Sequence, residues 1–220
     1  MNIYNKILEA FVDLRPSAGR EWKGKPFIVG DKAIATDACT MIIVPASKTT
    51  GIETLTEYDP DNVLKVIPGA EFRGRNIPVP MALVKDKIQH LTKEPEIILK
   101  DCEACDGDGW VVYEFTHKDV RHTKEDECPI CGGDGDSFVG HTGRCIYDGN
   151  LYFKVADCIY SAKLFDKALY AADLLGVQKI IITKQDPTSC TVMEFADIEI
   201  LLMPVVKKEF EDDEQLITIL

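Results

Sequence analysis

The chain has 220 residues, 45% of them hydrophobic, and a net charge of −12. That length and apolar fraction supply a sizeable core for one large domain or two small ones. The acidic balance excludes non-specific nucleic-acid binding by the surface as a whole and leaves only a local basic face. No run approaches the roughly 20 apolar residues that cross a bilayer, so no membrane association is expected.

Residues 2–14 place Ile3, Ile7, Ala10, Phe11 and Leu14 at helical spacing. The segment reads as an amphipathic helix, not a signal peptide, which predicts a cytoplasmic protein. Pro16 and Gly19 end it. Three short β-rich runs follow near 26–29, 32–37 and 40–45, with a tight turn at Gly30-Asp31. Residues 46–58 read as a loop. Asp59-Pro60 is a helix start, with aspartate as N-cap and proline at the first position. A further helix opens at Pro80 and runs through Val84, Ile88 and Leu91, and 96–100 is a strand. After the cysteine-rich segment, RCIYDGNLYFKV predicts a hairpin around Asp148-Gly149. The spacing then predicts a helix over 159–175 with a polar stripe of Lys163, Asp166, Lys167, Tyr170 and Asp173, closed by Gly176. Strands near 178–184, 189–195 and 198–205 complete the pattern. Residues 207–220 read as a solvated acidic tail.

Four of the eight cysteines form two pairs, Cys102-Glu-Ala-Cys105-Asp-Gly-Asp-Gly and Cys128-Pro-Ile-Cys131-Gly-Gly-Asp-Gly. Both fit CxxCxGxG. Two intervening residues let both thiolates face one ion from a tight turn. The trailing glycines permit positive φ, so backbone amides can point at sulfur. Four thiolates in two such turns make a closed tetrahedral shell, which predicts one structural Zn2+ and no open catalytic position. Twenty-two residues separate Cys105 from Cys128, the span of a β-hairpin. His117 and His122 lie in that span as candidate substitutes or neighbours of the metal. Glycine trailers oppose the helix that a redox CxxC requires. The remaining cysteines, Cys39, Cys145, Cys158 and Cys190, read as small buried hydrophobes.

The paired knuckles resemble the cysteine-rich region of J-domain co-chaperones of the DnaJ type. The resemblance covers about 35 residues and two repeats and implies zinc binding. Each flank of the module reads as a helix followed by three strands, which predicts a pseudo-symmetric α+β domain. Residues 160–205, including SAKLFDKALYAADLLGVQKIIIT and the closing IEILLMPV with its Met203-Pro204 pair, resemble the bacterial DNA sliding clamp, the β subunit of the replicative polymerase. ATDACTMIIVP at 35–45 is similar to that family's strand pair with a Thr-Asp turn. The expected organisation is a single clamp-like domain from 1–100 and 137–206, with a zinc-binding β-hairpin module inserted at 101–136.

The resemblance implies helices that face DNA, with Lys6, Lys163 and Lys167 as the candidate phosphate contacts, replication proteins as partners, and assembly of several copies. Arg73, Arg75, Lys85 and Lys87 form a second basic cluster, read as solvated loop. The end Gln215-Leu216-Ile217-Thr218-Ile219-Leu220 looks like the short peptides that dock in a clamp's hydrophobic pocket. No nucleotide-binding loop, HExxH or nucleophile–base set is present. The expected function is therefore a non-enzymatic, clamp-like protein of DNA replication or processing. The alternative is a zinc-containing protein-interaction adaptor with no DNA role.

Overall fold

The computed structural model describes residues 2–16, 19–56, 58–206 and 209–220. Glu57 of the expected loop and Lys207 and Lys208 of the tail lie outside them. The described chain is mostly β-strand with four α-helices. It forms two compact units, Met1–Glu94 with Ile146–Leu220, and Pro95–Cys145.

In the larger unit, α1 (Ile3–Glu9) precedes a meander of β1 (Phe27–Val29), β2 (Lys32–Thr36) and β3 (Thr40–Pro45). Next come α2 (Pro60–Leu64), β4 (Ile77–Pro80) and α3 (Met81–Ile88). In the smaller unit lie β5 (Glu94–Asp101, entering from the larger), β6 (Trp110–His117), β7 (Val120–Glu127) and β8 (Asp136–Ile146). The chain returns through β9 (Leu151–Val155), β10 (Cys158–Ser161) and α4 (Ala162–Leu174). A second meander follows, β11 (Lys179–Asp186), β12 (Ser189–Phe195) and β13 (Ile198–Leu202), and β14 (Gln215–Thr218) comes last.

The two meanders join through their third strands. β3 pairs antiparallel with β13, Ile42 opposite Ile200 and Thr40 opposite Leu202, giving the sheet order β1-β2-β3-β13-β12-β11-β4. The three strands of each meander mirror one another about the β3–β13 seam, as two halves related by an approximate two-fold axis require, and β4 is an additional edge strand with no counterpart. Proline-rich β4 closes one edge, where missing N–H donors do no harm. Strand side chains alternate between faces. Ala33, Ala35, Ile42, Val44, Met193 and Ile200 share one core with Ile7, Leu8 and Phe11 of α1 and Phe165 and Ala168 of α4. Ile34, Met41, Ile43, Val192 and Leu201 share a second core with Val63 of α2. Burial on both faces is why the strands read as unbroken apolar runs.

Several sequence expectations are corrected. α1 stops at Glu9 because Asp13 is held away from a helical course: its N–H donates to the Lys23 carbonyl at 2.9 Å and its carboxylate meets the Lys23 ammonium at 3.1 Å. α4 starts at Ala162 and not at 159, because Cys158–Ser161 pair with β9. Asp148-Gly149 makes a turn, but the hairpin is β9–β10, turned at Ala156 with φ of 51°. The tail is not wholly a solvated run. β14 adds in parallel to β9, and Ile219 is buried in the core. The terminal segment is thus a sheet strand and not a free docking peptide. Cys39 lies exposed in the β2–β3 turn and Cys145 is exposed, so neither is the expected buried hydrophobe; Cys158 is buried.

Candidate metal centre

The smaller unit is organised around the cysteines. β6 and β7 pair from Trp110–Glu127 at the base to His117–Val120 at the tip. Lys118 and Asp119 turn the tip with φ of 51° and 63°, the two positive angles that match a hairpin's twist. The base of the hairpin therefore sets Cys105 and Cys128 close together. Cys102, Cys105, Cys128 and Cys131 offer four Sγ atoms that all lie within 4.8 Å of one another. The Cys102–Cys128 and Cys105–Cys131 separations are 3.9 and 3.8 Å. A tetrahedron of sulfurs about 2.3 Å from zinc has edges of about 3.8 Å, so the donor set fits the ion.

The two knuckles interlock with the same bonds on each side. The Cys102 N–H donates to the Gly135 carbonyl, and the Cys128 N–H to the Gly109 carbonyl, both at 2.8 Å. The Gly109 N–H donates to Cys105 Sγ and the Gly135 N–H to Cys131 Sγ, both at 3.2 Å. Gly109 and Gly135 hold φ of 79° and 76°. A Cβ on Gly109 would sit 2.2 Å from the Gly133 carbonyl oxygen, and one on Gly135 2.3 Å from that of Gly107. No residue but glycine fits there. The Ala104 N–H and adjacent thiols draw the Cys102 thiol down to about 7, whereas burial pushes Cys105 up to about 11. Metal binding to such a set displaces protons and supplies a cross-link.

Neither histidine joins the cluster. His117 is at the hairpin tip, roughly 20 Å along the strand from Trp110. His122 stacks on Phe115 with ring centres 5.2 Å apart.

The candidate DNA-facing lysines separate into two kinds. Lys6 and Lys163 are exposed, and neither has an ion pair among the described residues. Lys167 is buried, and its ammonium meets Asp37 at 2.5 Å, so it is not offered to a phosphate. Asp37 also accepts from the Thr40 N–H and hydroxyl, so the β2–β3 turn anchors α4. The polar stripe is further consumed by Lys93–Asp166 at 2.5 Å and Lys85–Asp173 at 2.7 Å. Arg73 bridges Glu194 and Glu199, and Arg75 meets Asp157, so the second basic cluster is largely paired.

Sequence reasoning missed an apolar groove of about 760 Å³ in the larger unit, lined by Trp22, Met41, Tyr58, Val63, Val66 and Met203. Trp22 stacks on Tyr58 at 4.9 Å and meets Phe27 edge-on. Met203 of the Met-Pro pair was the one signal for it in the sequence. The other walls come from loops that composition does not link.

No protein-family model matches the chain, and no curated protein matches it significantly. Similar solved structures include the β sliding clamp of Caulobacter crescentus (11% identity, TM-score 0.45) and the Helicobacter pylori β clamp bound to a DNA ligase peptide (11%, 0.45). The DNA polymerase sliding clamp of Pseudomonas aeruginosa is another (11%, 0.43). Each alignment covers 93% of this chain. The chain spans 64% of the Caulobacter and Pseudomonas clamps and 63% of the Helicobacter one.

Proposed function

We propose that this chain is a cytoplasmic, non-enzymatic, clamp-like protein of DNA replication or processing. In this reading one structural Zn2+ on Cys102, Cys105, Cys128 and Cys131 holds a module for partner or nucleic-acid contact. The observation that carries the reading is the join of two helix-and-meander halves across β3 and β13, with α1 and α4 packed together on one face. Those helices carry Lys6 and Lys163. The groove beside Met203 is a second support, because it offers apolar walls to a short segment of a partner protein. When bound, the zinc supplies a four-point cross-link. The glycine amides orient the sulfurs, and the hairpin base brings the two knuckles together. None of the eight cysteines is joined in a disulfide, which suits a reducing compartment. Among the described residues no helix is long and apolar enough to cross a membrane.

The test is anisotropy of a labelled DNA duplex across a salt series, with sedimentation on the same protein. The reading expects concentration-dependent assembly and an affinity that falls steeply with salt. Lys6→Glu with Lys163→Glu should flatten the salt slope by about one unit per lysine. A monodisperse monomer with no DNA affinity at low salt would overturn it.

The second reading, an adaptor with no DNA role, is favoured by the charge of the smaller unit. Residues 95–145 carry five lysines and arginines against twelve aspartates and glutamates, a net of −7. Capture of a protein partner that is lost on Cys128→Ser, with the larger unit still folded, would support it.

A further inference from the structure

The smaller unit exposes apolar surface out of proportion to its size. Of eighteen large hydrophobic side chains exposed among the described residues, nine lie in residues 95–145. Single exposed hydrophobics are ordinary, but a concentration of them marks a contact surface.

The β6–β7 register sorts the hairpin's side chains by face. Trp110 lies opposite Glu127, Val112 opposite Glu125, and Glu114 opposite Thr123, so these six share one face. The other face starts with Val111, which packs on the cysteines, and continues through Tyr113 and Phe115, with His122 stacked on Phe115. Beyond Val111 both faces are exposed, and the first is set apart by its carboxylates. Trp110 is 51% and Val112 64% exposed. Glu114 is bonded to Arg121, whereas the exposed Glu125 and Glu127 have no ion pair among the described residues. The face therefore presents two apolar side chains beside two unneutralised carboxylates, within a unit of net charge −7. That combination repels phosphate and attracts cations. It also gives a cation an aromatic ring to rest on.

We propose that the Trp110 face of this hairpin docks a cationic, apolar segment of a partner protein. Lysine or arginine side chains of the partner meet Glu125 and Glu127, and its apolar side chains cover Trp110 and Val112. The inference deepens the reading of the zinc module as a contact module and names the class of its partner. Trp110 directly follows Gly109, whose N–H is bonded to Cys105 Sγ, so the metal knuckle fixes the root of the docking face.

The experiment uses the full zinc-loaded chain with Trp22→Phe, so that fluorescence reports Trp110 alone. The probes are a peptide alternating lysine with valine, one of equal length alternating glutamate with valine, and an oligothymidine. The lysine–valine peptide should change the emission saturably, and the other two should not. Glu125→Lys with Glu127→Lys should weaken its binding by about tenfold or more. Asp212→Lys with Asp213→Lys, the same charge change in the tail, should weaken it less than about twofold. Val112→Thr, which leaves every charge in place, should weaken it severalfold. Equal losses from the two charge pairs would reduce the effect to bulk charge and overturn the proposal. Stronger binding of the glutamate–valine peptide or the oligothymidine would also overturn it. Zinc content and duplex affinity measured on the same variants keep a failure here separate from a failure of the zinc or clamp reading.

Discussion

Replacing Gly109 with alanine probes the interlocked knuckles without touching a metal ligand. The new Cβ would sit 2.2 Å from the Gly133 carbonyl oxygen, and the backbone would have to hold φ of 79° with a side chain. The left-handed conformation alone costs about 1–2 kcal/mol. Relieving the clash requires the two knuckles to part. Parting lengthens the Gly109 N–H bond to Cys105 Sγ and the Cys128 N–H bond to the Gly109 carbonyl. A bond to a charged thiolate contributes about 1.5–3 kcal/mol and a neutral one about 1. Partial loss of both brings the total to about 3–5 kcal/mol, which is about two to three and a half orders of magnitude in zinc affinity at about 1.4 kcal/mol per decade. Gly132 is the matched control. It holds φ of 66° with open space where an alanine methyl would point, so alanine there costs only the backbone contribution of about 1–2 kcal/mol, roughly five- to thirtyfold. Competition with a chromophoric chelator at fixed pH measures both. Equal weakening by the two substitutions, or unchanged affinity in Gly109→Ala, would refute the interlock.

Three further outcomes are expected. Lys167→Met removes the ammonium from the part-buried Asp37, which keeps its bonds from the Thr40 N–H and hydroxyl, and should destabilise the larger unit by about 2 kcal/mol, whereas Lys163→Met should stay within about 0.5 kcal/mol; thermal or urea unfolding distinguishes them, and similar costs would mean the Lys167–Asp37 pair is open to water in solution. Ile219→Ala should cost about 2 kcal/mol or more because that side chain sits in the core behind β14, while a free tail would give no change. Zinc affinity should fall with falling pH: the bound form carries thiolates, the metal-free Cys105 thiol is pushed up to about 11 by burial, and each proton therefore competes with the ion. That residue alone sets a loss of at least about tenfold per pH unit through the neutral range, and a pH-independent affinity in the chelator assay would contradict a thiolate site.

What could be read from the residues was local. The CxxCxGxG pairs brought their four sulfurs together because each knuckle is set by its own turn, and the span between them held a hairpin. Asp59 caps α2 with its carboxylate accepting the Asp61 N–H at 3.0 Å, as Asp59-Pro60 implied. The meanders were legible as apolar runs. Long-range pairing was not. Nothing near Lys167 indicates that its partner is Asp37, 130 positions away, so a lysine buried against a half-buried carboxylate read as part of a solvated stripe. Asp148-Gly149 does turn the chain, but strand pairing was decided by β9 meeting β10 through Ala156, a residue with no turn signature. Parallel addition of β14 to β9 likewise depends on Ile217 and Ile219 reaching a core assembled from the rest of the unit. The groove escaped notice for the same reason, since Trp22, Tyr58 and Met203 come from three separated segments.

The convergence of four thiolates on one ion is tested most directly by X-ray absorption at the zinc edge on purified, zinc-loaded protein. The account predicts one zinc per chain with four sulfur neighbours at about 2.3 Å. A first shell containing nitrogen or oxygen, or a chain that retains no stoichiometric zinc, would contradict it.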